Sequence, residues 1–275
     1  MQIRAPAKIN LSFRVLRRRE DGFHEIETLM ASISLFDEIK IEPNKSGIQF
    51  DCDNTSLAGS NNLVVRAAEL FFEKTKTEPA VAIALKKNIP HGAGLGGGSS
   101  DAATTLLGLN ELLGANLGRE ELADLAAQIG SDVPFFIYQS AAMCRGRGEI
   151  VMPAKLNTPL SLLLFKPEFS VPTPWAYSRW MDSRELPDVP YAVREFQGLQ
   201  CVNDLERPVF EKFVFLAQMK RWLQRQPEVG AALLSGSGST VFAVLRPNAN
   251  ADLVGQRAKA ELDPQLWMCA CETIG

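Results

Sequence analysis

From Ala7 to Leu16 the chain alternates. Ile9, Leu11, Phe13 and Val15 are apolar, and Lys8, Asn10, Ser12 and Arg14 lie between them. A period of two predicts a strand with one buried face. A turn around Asp21-Gly22 follows, then a second strand over 33–42. Residues 61–75 switch to helical spacing, with Leu63, Ala67, Leu70 and Phe71 on one stripe. A strand over 80–85 leads to a glycine-rich stretch. Helices over 99–114 and 119–130 come next, the first opened by serine and closed by Gly114, the second closed by Gly130. After a break near 150–160, a very apolar strand begins the second half. There the pattern predicts helices near 208–226 and 249–262, a glycine loop within 234–244, and a last strand over 265–274. This is an α+β chain of two parts, 1–156 and 157–275.

Composition narrows the class. The 275 residues are 46% hydrophobic and 22% charged, which suits a globular protein with sizeable cores. A net charge of −3 argues against nucleic-acid binding and against membrane-surface binding by bulk charge. The N-terminus lacks the long apolar core of a signal peptide, so a cytoplasmic location is expected. Five scattered cysteines read as reduced thiols, and the Cys269/Cys271 pair has neither a second pair nor a nearby histidine to make a zinc site.

The stretch "IPHGAGLGGGSSDAA", residues 89–103, carries the chemistry. Glycine occupies five of the seven positions from 92 to 98. Gly92, Gly94 and Gly97 satisfy G-x-G-x-x-G, but residues 86–91 separate them from the strand, and helix stands where a dinucleotide fold needs its acidic strand end. No lysine follows as in a P-loop, and no H-R-D or D-F-G exists as in a protein kinase. A glycine loop feeding a helix N-terminus remains. Its backbone N–H groups and helix dipole favour phosphate. The plain alternative, a tight turn with a capped helix, needs only one or two glycines.

Three segments, "APAKINL", "GAGLGGGSSDAA" and "SGSGSTVF", resemble the three motifs of the GHMP kinases, which include galactose, homoserine, mevalonate and phosphomevalonate kinases. "DGFHEIETL", "GSDVPFF" and "VPTPWAY" resemble, in order, the branch acting on a cytidyl-linked sugar alcohol. The resemblance implies a GHMP kinase fold, with an N-terminal split α/β domain, a C-terminal ferredoxin-like domain and the substrates in the cleft between them. It implies transfer of the γ-phosphoryl of ATP, with Mg²⁺, to a C2 hydroxyl. Small molecules are then the partners.

The same resemblance assigns residues. Lys8 and Asp132 are the catalytic pair, with Asp132 as base; their plain alternatives are a solvated strand lysine and a helix cap. Asn62, Lys87, Pro90, His91, Gly92, Ala93, Gly94, Leu95, Gly96, Gly97, Gly98, Ser99 and Ser100 surround ATP, and Ser100 holds the metal. Lys86 and Lys87 read equally as a solvated pair. Asn10, Phe23, His24, Thr173 and Tyr177 bind the acceptor, with Phe23 and His24 on one side of the cytosine and Tyr177 on the other. Phe23 stands where the family usually has tyrosine. Thr173 is expected to cap a helix with Pro174 at its first position. Asp101 complements the helix dipole and is left out of the site. Residues 235–240 form the third motif, with a plain hairpin turn as the alternative. Two other functions compete: a different GHMP kinase, and a non-catalytic metabolite sensor on the same fold. The glycine triplet after Leu95, "DGFHE" and "PTP" weigh against the first, and the presence of Lys8 and Asp132 against the second.

Overall fold

The computed structural model describes residues 1–275. Two long strands, β1 (Gln2–Arg18) and β2 (His24–Pro43), form an antiparallel hairpin closed by the expected turn, where Arg19 N donates to the Phe23 carbonyl at 2.8 Å. After β3 (Gly47–Cys52), α1 (Leu63–Thr75), β4 (Ala80–Lys86), α2 (Gly97–Leu112), α3 (Arg119–Ile129), α4 (Val133–Tyr138), β5 (Ala142–Gly146) and β6 (Ile150–Pro153), this part of the sheet is complete. β4 and β5 pair with different stretches of β2, while β3 joins β4 and β6 joins β5. The four helices pack with this sheet around Phe71, Phe135, Leu106 and Ile83. Phe71 is fully buried, so truncating it to alanine should cost about 3–5 kcal/mol.

The second half runs β7 (Ser161–Lys166), α5 (Thr173–Arg179), β8 (Arg194–Phe196), β9 (Leu199–Asn203), α6 (Glu206–Lys212), α7 (Val214–Arg225), β10 (Val229–Leu234), β11 (Val241–Leu245), α8 (Ala251–Glu261) and β12 (Trp267–Ile274). Strands β7, β10, β11 and β12 with α7 and α8 make a βαββαβ unit in the antiparallel order β10-β11-β7-β12. This is the ferredoxin-like arrangement, with α5, the β8–β9 hairpin and α6 inserted after its first strand. β12 also pairs with β2 at Ser32–Ile33, and β9 runs parallel to β1 at Ser12–Phe13, so one 12-stranded sheet links the halves. A hydrophobic layer containing Ile9, Leu11, Leu95, Leu164, Leu233 and Phe242 draws on both halves.

Two expectations change. Lys8 and Asn10 are as buried as Ile9 and Leu11, so β1 is covered on both faces in its middle. In α1, Ala67 and Phe71 are buried but Leu63 and Leu70 only partly, because Val64, Val65, Ala68 and Phe72 complete a broader buried face.

Candidate active site

Lys8 is 4% exposed and Asn10 is 1% exposed, which removes the solvated-lysine alternative. Lys8 Nζ donates to Asn10 Oδ1 at 2.7 Å. Asn10 Nδ2 donates to Thr28 Oγ1 at 2.8 Å, and Thr28 Oγ1 donates to the Ser12 carbonyl at 2.6 Å. This chain aims the Asn10 amide oxygen at the ammonium. Asp132 Oδ2 lies 3.3 Å from Lys8 Nζ. Asp132 immediately precedes α4, but its carboxylate makes no capping bond, so the cap alternative fails too. The pair couples an oxygen able to accept a proton with a cation able to offset anionic charge.

The glycine loop lies over this pair. Lys8 N donates to the Leu95 carbonyl at 2.9 Å. On the other side, Ser235 Oγ donates to the Gly94 carbonyl at 3.0 Å, and Thr240 N donates to the Ala93 carbonyl at 3.1 Å. All three motif segments therefore touch. The contact explains two of the glycines without a ligand. Gly94 has φ of +76° and a Cβ there would lie 2.2 Å from the Ser235 carbonyl oxygen. Gly96 has φ of +70° and a Cβ there would lie 2.9 Å from Lys8 Cγ. Gly98 differs: a Cβ there would meet only Leu63 Cδ1, at 3.7 Å. α2 starts at Gly97 with Gly96 as its cap, so Ser99 and Ser100 sit inside the first turn instead of opening the helix.

A cavity of about 340 Å³ is lined by Asn62, Lys87 and every residue from Pro90 to Ser99. Ser100 is not on its wall; that side chain is fully buried and its hydroxyl has no hydrogen-bond partner. The helical twist at this helix start turns Ser99 towards the cavity and Ser100, expected beside a metal, inward. No group of three or more His, Cys, Asp or Glu side chains is placed to hold a metal ion.

Two cavity residues are already committed to the protein. Asn62 caps α1, its Oδ1 accepting from Val64 N and its Nδ2 donating to the Leu57 carbonyl, both at 2.9 Å. Lys87 Nζ is held between the Asp37 carboxylate and Asp101 Oδ2, the latter at 2.6 Å. Asp37 Oδ1 also accepts from Asn88 N at 2.6 Å and Ile89 N at 2.8 Å, where the glycine loop begins. Of Lys86 and Lys87, only Lys86 is solvated, paired with Glu38. Asp101 lies on the cavity wall, and burial pushes its carboxyl up to about 7, with Lys87 opposing and Asp37 adding to the shift.

A larger cavity of about 670 Å³ is lined by Asp132, Ser99, Phe23, His24, Thr173 and Tyr177, together with Arg18 and Arg147. Ser99 lines both cavities. A smaller space of about 120 Å³ brings Lys8, Asp132, Arg147, Thr173 and Tyr177 together. The aromatic arrangement differs from the expected one. His24 stacks directly on Tyr177, with ring centroids 5.1 Å apart and planes at 27°, so no base fits between them. Phe23 is 50% exposed and carries the Arg147 guanidinium 4.8 Å above its ring. Burial lowers the His24 pKa, with Arg18 adding to the shift, and burial raises that of Tyr177. Thr173 is the first residue of α5 and makes no cap; its hydroxyl pairs with Ser237 Oγ at 2.7 Å, tying α5 to the third motif.

The third motif is no plain hairpin turn. A Cβ on Gly236 would lie 3.4 Å from Asn10 Oδ1 and 3.5 Å from Lys8 Nζ. Asn203 fixes this turn, its Nδ2 donating to the Leu234 carbonyl at 2.8 Å and the Gly236 carbonyl at 2.7 Å. Sequence reading missed Asn203, Thr28, Asp37, Asp101 and Arg147. For Asn203, Thr28, Asp37 and Asp101, polarity beside apolar or small neighbours, as in "CVNDLE", was the available signal; Arg147 sits between two glycines and had none.

Residues 62–140 match the GHMP kinases N terminal domain, and residues 191–263 match the GHMP kinases C terminal domain. The 4-diphosphocytidyl-2-C-methyl-D-erythritol kinase of Methylacidiphilum infernorum is 44% identical over 98% of this chain and 96% of its own. That of Thermodesulfovibrio yellowstonii is 40% identical over 90% of each. A crystal structure of 4-(cytidine 5'-diphospho)-2C-methyl-D-erythritol kinase superposes with a TM-score of 0.80 at 38% identity, covering all of both chains. Homoserine kinase from Cytophaga hutchinsonii, at 18% identity and a TM-score of 0.71 over all of this chain and 94% of its own, shares the fold. With the three motifs in contact around Lys8 and Asp132 and these identities running the length of the chain, the protein belongs to the 4-diphosphocytidyl-2-C-methyl-D-erythritol kinase family of the GHMP kinases.

Proposed function

We propose that this protein transfers the γ-phosphoryl group of ATP to the C2 hydroxyl of 4-diphosphocytidyl-2-C-methyl-D-erythritol, a step of isoprenoid precursor synthesis. ATP lies in the cavity beside the glycine loop, and the acceptor lies in the larger one. Asp132 takes the proton from the C2 hydroxyl as its oxygen bonds to the γ-phosphorus and the bond to the β-phosphate oxygen breaks, leaving ADP. Lys8 offsets the charge on the transferring group, and Asn10 orients Lys8. Mg²⁺ enters this reading as the counter-ion of the ATP phosphates, with no step assigned to it.

The observation that carries the proposal is the Lys8–Asp132 contact of 3.3 Å, with Asp132 and Ser99 on the wall of one cavity and Ser99 on the wall of the next. His24, with its pKa lowered by burial, offers a neutral imidazole to a cytosine edge. The reading also takes 1–156 and 157–275 as two domains. Supporting it, one core draws on residues between Ala5 and Cys144 and another on residues between Leu163 and Leu266. It puts the protein in the cytoplasm; no helix is long and apolar enough to cross a membrane. The test is ADP release over a panel of alcohols that includes the cytidyl compound, mevalonate, homoserine and galactose. The cytidyl compound should give the highest kcat/KM, and a higher value for any other alcohol would overturn the assignment.

A further inference from the structure

The third motif leaves from β10, a strand at the end of its ladder that pairs with β11 alone. On the open edge, the last residue of β10, Leu234, has an N–H and a C=O that need partners. Two side chains supply them. Glu206 Oε1 accepts from Leu234 N at 3.0 Å, and Asn203 Nδ2 donates to the Leu234 carbonyl at 2.8 Å. Asn203 Nδ2 donates to the Gly236 carbonyl as well, at 2.7 Å, and its Oδ1 accepts from Leu205 N at 2.9 Å, which fixes the amide at both ends. Glu206 Oε2 bonds to Lys220 Nζ at 2.5 Å, and Lys220 Nζ donates to the Pro190 carbonyl at 2.8 Å. Both members of this ion pair are buried. Burying such a pair is costly, and apolar residues of similar volume often serve stability as well. What the carboxylate adds is an acceptor aimed at Leu234.

We propose that Asn203 and Glu206 are positioning residues for phosphoryl transfer, which set the third motif against Lys8. The inference rests on the function proposed above. The segment that carries them is anchored to the strand that carries Lys8. Asn203 lies opposite Phe13 where β9 pairs with β1. Asp204 N donates to the Phe13 carbonyl at 2.9 Å, and Asp204 Oδ2 accepts from Val15 N at 2.9 Å. Residues 203–206 therefore grip β1 on one side and the backbone of Leu234 and Gly236 on the other. Gly236 is held so near the reacting pair that a Cβ there would lie 3.5 Å from Lys8 Nζ. Releasing this clamp frees the turn to shift, and the Lys8 ammonium then loses its fixed place beside Asp132. A misplacement of about 1 Å is enough to cost about 100-fold in rate. In the competing account the two side chains only seal the open edge of β10, with no bearing on the chemistry.

Two double variants separate these accounts. Glu206→Gln/Lys220→Met and Glu206→Leu/Lys220→Met both remove the buried charges, and only the first keeps an oxygen for Leu234 N. Glu206→Leu/Lys220→Met should lower kcat about tenfold or more, with the KM for ATP and for the cytidyl acceptor nearly unchanged. Glu206→Gln/Lys220→Met should restore most of the loss. Asn203→Ala, which changes no charge, should lose kcat in the same way. Hydrogen exchange over residues 234–240, which needs no substrate, should rise in Asn203→Ala and in the leucine variant and stay low in the glutamine variant. Equal kcat in the two double variants, or wild-type kcat in folded Asn203→Ala, would overturn the proposal. Raised exchange without loss of kcat would overturn it too, in favour of edge sealing. If either double variant does not fold, Asn203→Ala decides alone. A wild type inactive on the cytidyl compound would overturn the function proposed above; the clamp is then judged by the same exchange and by kcat on the alcohol that does turn over.

Discussion

Lys8 Nζ and Asp132 Oδ2 stand 3.3 Å apart, one from the first strand and the other from the start of α4. Burial of Lys8 and the absence of a capping bond from Asp132 leave each free of the structural duties that would otherwise explain it. Asp132→Asn keeps the size and removes the basic oxygen. It should lower kcat by about 100-fold or more with the KM for ATP nearly unchanged. Lys8→Met should also lower kcat, and the double variant should lose less than the product of the two, because the pair acts as a unit. Steady-state kinetics of the three variants checks this; strictly multiplicative losses would mean the residues act separately.

Gly94 and Gly98 should respond in opposite ways. Gly94→Ala forces a Cβ against the Ser235 carbonyl at positive φ, so it should lower the melting temperature by several degrees. Gly98→Val projects into open cavity, so it should leave the fold intact and weaken an ATP analogue, measured by calorimetry. Unchanged affinity in a folded Gly98→Val protein would mean that phosphate does not come close there.

Tyr177 supports His24 by stacking and lies 6.4 Å from Phe13. An aromatic pair is worth about 0.5–1.5 kcal/mol beyond its buried area, so Tyr177→Ala, which leaves His24 without that support, should raise the KM for the cytidyl acceptor roughly two- to tenfold and leave that for ATP in place. Tyr177→Phe keeps the ring and should behave as wild type. Loss of activity in Tyr177→Phe would show that the hydroxyl, not the ring face, is what matters.

Asp101 gives a pH signature. Its folded pKa of about 7 lies above the ~3.9 of a free aspartate, so between these values the folded chain binds more protons than the unfolded one. This contribution to stability is present at low pH and fades as pH rises towards 7. Melting temperatures of wild type and Asp101→Asn, followed from pH 4 to 7, should therefore converge or cross, with wild type losing ground as pH rises. Parallel curves would show that Asp101 stays ionised throughout.

Much of this site was legible in the chain. Alternation around Lys8 gave β1, and the glycine stretch gave the loop and α2, because each signal is local. Burial of Lys8 and Asn10 was not legible: the third motif that covers them lies more than two hundred residues away. The glycines also carried two meanings. Gly94 and Gly96 answer to the loop's own packing and Gly98 to the cavity, a distinction that needs the partner atoms. For Lys87, a place beside ATP and a solvated pair with Lys86 read equally well, because Asp37 and Asp101 reach it only through tertiary contact. The stacked His24 and Tyr177 come from different halves of the chain, so their contact had no local signature.

The most direct test of the account is the position of the transferred phosphate. C2 of the acceptor bears a methyl group and no hydrogen, so a phosphate on its oxygen has no proton three bonds away. Proton-coupled phosphorus NMR of the product from ATP and 4-diphosphocytidyl-2-C-methyl-D-erythritol should show an unsplit monoester signal with wild type, and almost none with Asp132→Asn. A monoester split by neighbouring protons, or equal product from the variant, would contradict the account.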